Sequence, residues 1–194
     1  MHALSPDDLY SLEEYARHRN EMRARVMEHK AHRRLHVGAH LTLYFEDRLT
    51  ILYQVQEMLR AERIFEPDGI RGELEAYNPL IPDGRNWKAT LMIEYADPAE
   101  RARELRRLVG IEHRVWMQVE GHTPVTAIAD EDLERSNADK TSAVHFLRFE
   151  LAPGMIAALK GGTPLRAGVD HPEYSIRLDA VPELLRESLV ADLD

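Results

Sequence analysis

Polar and apolar positions alternate with two different periods along this chain, and the change falls near residue 85. The longest helical pattern runs from Phe45 to Phe65, FEDRLTILYQVQEMLRAERIF. Asp47 is placed to cap it, and Ile51, Leu52, Val55, Met58 and Leu59 recur at the spacing of one buried stripe. Glu46, Thr50, Tyr53, Glu57 and Arg60 climb the same helix as a second, polar row. Two carboxylates and a phenol in line suit metal binding or acid–base work. The row fits equally well a solvated face on which Glu57 pairs with Arg60. Thr50–Gln56 also alternates as a strand would, but the pattern continues to Ile64, which favours a helix.

Before this segment, Ser5-Pro6-Asp7-Asp8 opens a helix expected to reach about His32, with Leu9, Leu12, Tyr15, Met22 and Val26 on its apolar side. Arg19 falls within that stripe and calls for a carboxylate partner, Glu57 or Glu46. Leu35–Val37 and Leu41–Phe45 read as short strands about Gly38. Pro67-Asp68-Gly69 reads as a break before a short helix over Ile70–Tyr77.

Beyond the Pro-rich loop at residues 78–84, period-two alternation takes over. KATLMIEY (88–95), RVWMQVE (114–120) and AVHFLRFEL (143–151) are strands, and Val125–Ala129 is expected to return as the hairpin partner of the second. Asp97-Pro98 starts a helix, residues 130–136 form an acidic helical turn, and 153–160 and 182–193 form short helices. Leu165–Val169 and Tyr174–Leu178 form a hairpin around His171-Pro172. Helices followed by strands mixed with helices indicate an α+β fold, with a long central helix packed on a mostly antiparallel sheet. One domain over 1–194 is expected, mainly helical to residue 85 and sheet-containing from 86.

Composition narrows the chemistry. The 194 residues contain no cysteine, so disulfides, thiol nucleophiles and Cys-ligated iron–sulfur clusters are excluded. The start MHALSPDDLY lacks the basic and apolar regions of a signal peptide, and no apolar run approaches a membrane span, so a cytoplasmic protein is expected. A net charge of −9 argues against nucleic-acid binding. The charge is unevenly spread. Residues 15–36 hold seven basic side chains against two acidic ones, making Arg19, Arg23, Arg33 and Arg34 a candidate surface for an anion or an acidic partner. The same segment fits packing against the acidic remainder of its own chain.

No phosphate loop, nucleophile elbow, HExxH or dinucleotide fingerprint is present. His29, His32, His36 and His40 recur at helical spacing, but Gly38 interrupts the helix and Lys30, Arg33 and Arg34 repel a cation there. His145 alternates with Leu147, Phe149 and Leu151, so it points to the apolar side of its strand as a core histidine or a ligand. If the hairpin carrying His171 folds over the sheet, His145, His171 and Glu57 form a metal site suited to iron, manganese or zinc.

The blocks FEDRLTILYQVQEMLRAERIF, ELEAYNPLIP, KATLMIE, KTSAVHFLRFEL and VDHPEY together resemble, in order, the bacterial domain-of-unknown-function family 3501. The resemblance spans SLEEYARHR to ESLVADL and implies a single domain of this length. It also implies gene neighbours that encode rubrerythrin and an iron–sulfur oxidoreductase, and hence a role in oxidative-stress redox chemistry. Two functions are expected, the first from this resemblance and the second from the inward His145 and the carboxylate row of the central helix. One is an accessory protein of that redox system, docking on rubrerythrin or the iron–sulfur partner. The other is a metal- or haem-dependent oxidoreductase using His145, His171 and Glu57.

Overall fold

Two capping signals compete at the start of the chain, and the second begins the helix. In the computed structural model, which describes residues 2–194, Ser5 and Asp8 close only a 3-10 turn at Pro6–Asp8. Helix α1 (Leu12–Ala31) starts at Ser11, whose hydroxyl accepts the Glu14 N–H while Glu14 accepts the Ser11 N–H. Helix α2 (Arg48–Glu62) follows the periodic pattern. Asp47 accepts the Thr50 N–H at 2.9 Å and Thr50 Oγ1 accepts the Asp47 N–H at 2.9 Å. Its stripe of Ile51, Val55 and Leu59 packs with Leu4, Leu74 and Ile81 in a small cluster of its own. Pro67-Asp68-Gly69 does not break the chain but starts helix α3 (Pro67–Tyr77), with Pro67 at its first position and Asp68 in its first turn.

The structure is α+β, with two antiparallel sheets where a single one is expected. The first runs β1 (Arg34–Val37), β2 (Leu41–Glu46), β3 (Asn86–Ile93), β7 (Val144–Glu150), β6 (Ile128–Ala129). The second runs β5 (Val125–Thr126), β4 (Val115–Val119), β8 (Leu165–His171), β9 (Tyr174–Leu178). Three further helices are α4 (Pro98–Arg107), α5 (Pro153–Lys160) and α6 (Glu183–Val190). Inward residues of the first sheet, such as Leu43, Leu91 and Phe149, share one core with Met117, Ala167 and Val169 of the second and with Leu185 and Leu189 of α6. Fully buried Trp87 ties the first sheet to α6 by donating Nε1–H to Leu189 O at 2.9 Å.

The expected hairpin over Val125–Ala129 divides between the sheets. Val125 and Thr126 pair with Met117 and Trp116, but Ile128 and Ala129 pair with Arg148 and Leu147 of β7. The chain crosses at buried Ala127. This crossing delivers the next residue, Asp130, to the side of β7. The expected acidic helical turn at 130–136 is a non-helical loop instead, because its carboxylates are engaged across the loop and with β7.

Candidate metal centre

Alternation along β7 turns His145 inward with Leu147 and Phe149, and its ring is fully buried. Two carboxylates from distant parts of the chain meet it. Glu112 sits in a 3-10 turn, Ile111–His113, that follows Gly110 at φ +84°. Asp130 follows β6 with a left-handed backbone at φ +52°. That conformation costs a non-glycine residue about 1 kcal/mol or more. It is held from both sides: Asp130 N–H donates to Phe146 O at 2.8 Å, and Phe146 N–H donates to Asp130 Oδ1 at 3.0 Å.

His145 Nδ1 lies 2.6 Å from Asp130 Oδ2. On the other edge, Nε2 lies 2.8 Å from Thr141 Oγ1, 3.1 Å from Ser142 O and 3.9 Å from Glu112 Oε2. A carbonyl only accepts, so the contact with Ser142 gives Nε2 a hydrogen, and the ring bridges the two carboxylates. Glu112, 3% exposed, receives the hydroxyl of Ser136 at 2.6 Å on Oε1 and that of Thr141 at 3.2 Å on Oε2. Burial works to raise the Glu112 carboxyl, but Ser136, a backbone N–H, His145 and Thr141 outweigh it and hold the group below the ordinary glutamate value. Arg135 reaches Asp130 at 3.4 Å and Asp132 at 2.5 Å, which ties the loop over the site.

Thr141, His145 and Asp130 stand in the hydrogen-bond order of a hydrolase triad. Thr141 is 1% exposed and its hydroxyl is committed to Glu112, so it is not placed to attack a substrate. The donor set suits a metal ion better. One ligand atom each from Glu112, Asp130 and His145 lie within 4.8 Å of one another. One imidazole with two carboxylates matches the ligand preferences of iron, manganese and zinc.

The three residues expected to form a metal site do not come together. Only His145 belongs to this cluster. Glu57 lies on α2, over the opposite face of the first sheet, where Arg19 clamps it with two bonds of 2.7 and 2.8 Å and the Tyr15 hydroxyl donates to it at 2.6 Å. His171 ends β8 in the second sheet and is buried, with Nε2 3.2 Å from Val109 O and Nδ1 accepting the Glu173 N–H. The pairing of Arg19 with a carboxylate of the central helix is as the stripe requires.

The basic surface also needs correction. Arg33 is 2% exposed and faces inward from the turn before β1. It binds Asp192 at 2.5 Å, approaches Asp47 at 3.5 Å, and donates to Phe45 O, Glu46 O and Ser188. Strand β1 begins beside it, so the alternation that exposes Arg34 buries Arg33. Arg23 and Arg34 are exposed, and Arg19 is committed to Glu57.

The model of the family described as "Protein of unknown function (DUF3501)" matches residues 3–193. The chain belongs to the DUF3501 family. A solved crystal structure of a novel protein of unknown function from Burkholderia pseudomallei K96243 is similar to it, with 54% identity over 100% of both chains and a TM-score of 0.95. A comparison with curated proteins finds no match.

Among the site residues of this DUF3501 chain, Glu112 and Asp130 escape sequence reasoning. Glu112 carries a weak signal, an acid set among Val109, Ile111 and Val115. Asp130 is masked by the run of exposed acids that follows it.

Proposed function

We propose that this DUF3501 protein is a metal-binding component of a redox system, with an iron, manganese or zinc ion held by Glu112, His145 and Asp130. The observation that carries the reading is the buried meeting of two carboxylates on one histidine, with Asp130 kept in a left-handed conformation to reach it. Glu112 approaches the ring at Nε2 and Asp130 approaches it at Nδ1, and one ligand atom from each of the three residues lies within 4.8 Å of the others. Ser136 and Thr141 keep Glu112 ionised inside the protein. Such an ion supplies a Lewis-acid or redox-active centre when bound. Because Ser136, Thr141 and Arg135 all belong to the segment between Asp130 and β7, entry of an ion requires that segment to open.

The setting we attach to this centre is the one the family resemblance implies, an accessory role beside rubrerythrin and an iron–sulfur oxidoreductase. Exposed Arg23 and Arg34 remain for docking an acidic partner surface. Elemental analysis and an absorption spectrum of untagged protein from iron-supplemented cells test the centre. Stoichiometric iron, manganese or zinc that is lost in His145→Ala supports it, and equal metal content in that variant overturns it. Cross-linking with the two partners at moderate salt tests the setting, which fails if neither is captured.

A further inference from the structure

The outer face of the first sheet carries a second constellation, on the side away from Glu112 and His145. Register across β2, β3 and β7 aligns Tyr44, Thr90 and Phe146 in one row. Helix α2 lies over this face without closing on it and leaves a cleft of about 380 Å3. Its floor and sides are mostly apolar, with Met92 and Val144 on the sheet, Ile51 on α2 and Leu80 beyond α3. Tyr44, Tyr77 and Phe146 add three aromatic rings. Phe146 is braced from the loop side, since the Arg135 guanidinium stacks 4.4 Å from its centroid.

Glu46 projects into this cleft. Each of its carboxylate oxygens receives one hydroxyl, from Thr50 at 2.6 Å and from Thr90 at 2.8 Å. Five other carboxylates drawn into the body of the protein have cationic partners: Glu57 has Arg19, Asp47 and Asp192 have Arg33, and Glu112 and Asp130 have His145. Glu46 has none among the described residues. A carboxylate aimed by two hydroxyls, half-buried among apolar and aromatic walls, keeps unused acceptor capacity and favours a cation.

We propose that this cleft binds a small organic ammonium ion with an apolar body. The ammonium group meets Glu46, and the body lies on Met92, Val144 and Leu80 between the aromatic rings. Lys30 lines the same cleft and distinguishes two sources of that chemistry. An amino acid would place its carboxylate against Lys30, and a simple amine would leave Lys30 unmatched. The proposal stands apart from the metal reading, because Glu46 and His145 lie on opposite faces of the sheet.

Calorimetric titration of the full chain with phenethylammonium, L-phenylalanine and phenylacetate tests it, in the wild type, Glu46→Gln and Lys30→Met. At least one ammonium compound is expected to bind and phenylacetate is not. Glu46→Gln, which keeps the shape of the side chain, is expected to weaken binding by about tenfold or more. If L-phenylalanine binds more tightly than phenethylammonium and loses that advantage in Lys30→Met, the ligand is an amino acid. The opposite preference identifies a simple amine. Gln54→Trp, which fills the cleft from α2, must also abolish binding, and it decides the matter should Glu46→Gln fail to fold. Absence of binding by either ammonium compound, equal binding of phenylacetate, or undiminished binding in both Glu46→Gln and Gln54→Trp overturns the proposal.

Discussion

His145 and Asp130 are 2.6 Å apart, and they meet because Asp130 takes a left-handed backbone directly after β6, just beyond the point where the chain crosses from one sheet to the other. The contact thus depends on two separate properties of one residue, its charge and its tolerance of positive φ. Asparagine keeps the second and loses the first, while alanine loses both.

Asp130→Ala is therefore expected to cost about 2–4 kcal/mol, and Asp130→Asn about 1 kcal/mol less. Urea unfolding of the two variants measures this. An alanine variant at least as stable as the asparagine variant would contradict the assigned strain.

Arg33 and Arg34 are neighbours with opposite fates. Arg33→Ala leaves Asp192 and Asp47 without their buried cation, and a loss of about 3–5 kcal/mol is expected. Arg34→Ala is expected to stay within about 0.5 kcal/mol of the wild type, because its side chain is exposed. The same unfolding measurement, applied to both, checks the inward placement of Arg33.

Glu57 gives a pH signature. Arg19 holds its carboxyl well below the ordinary value of 4.5, at about 2, with Tyr15 assisting against partial burial. A depressed carboxyl stabilises the fold above its unfolded value, and that contribution is lost as pH falls through the folded value. The stability difference between wild type and Glu57→Gln is expected to be constant above about pH 5 and to shrink between about pH 4.5 and 2. A difference that grows on acidification would show that Glu57 is not clamped as described.

The fold was legible in the sequence wherever one period held over a whole element. Asp47, the α2 stripe and the inward face of β7 follow from local patterns, and so does the inward direction of His145. The meeting of His145 with Asp130 and Glu112 does not, because it rests on the pairing of Ala129 with Leu147, 18 residues apart, and on a non-periodic 3-10 turn. His171 and Glu57 misled for a related reason. Each is placed by an element on a different layer, and periodicity carries no information about which layers adjoin. The inward placement of Arg33 is not legible, because a basic run gives no sign of where a strand will begin to alternate.

Metal binding by a histidine and two carboxylates competes with protons, because each ligand atom must be free of hydrogen to hold the ion. Titrations of zinc or manganese in buffers of different ionisation enthalpy are expected to show net proton release and weaker binding at lower pH. Uptake without proton release would place the ion elsewhere.

The most direct measurement is the stoichiometry of manganese or zinc bound by untagged protein in the wild type and in Glu112→Gln, with circular dichroism confirming that both are folded. One ion per chain is expected in the wild type, with an affinity lower by about tenfold or more in Glu112→Gln. Identical binding curves for the two proteins would contradict a metal centre at Glu112, Asp130 and His145.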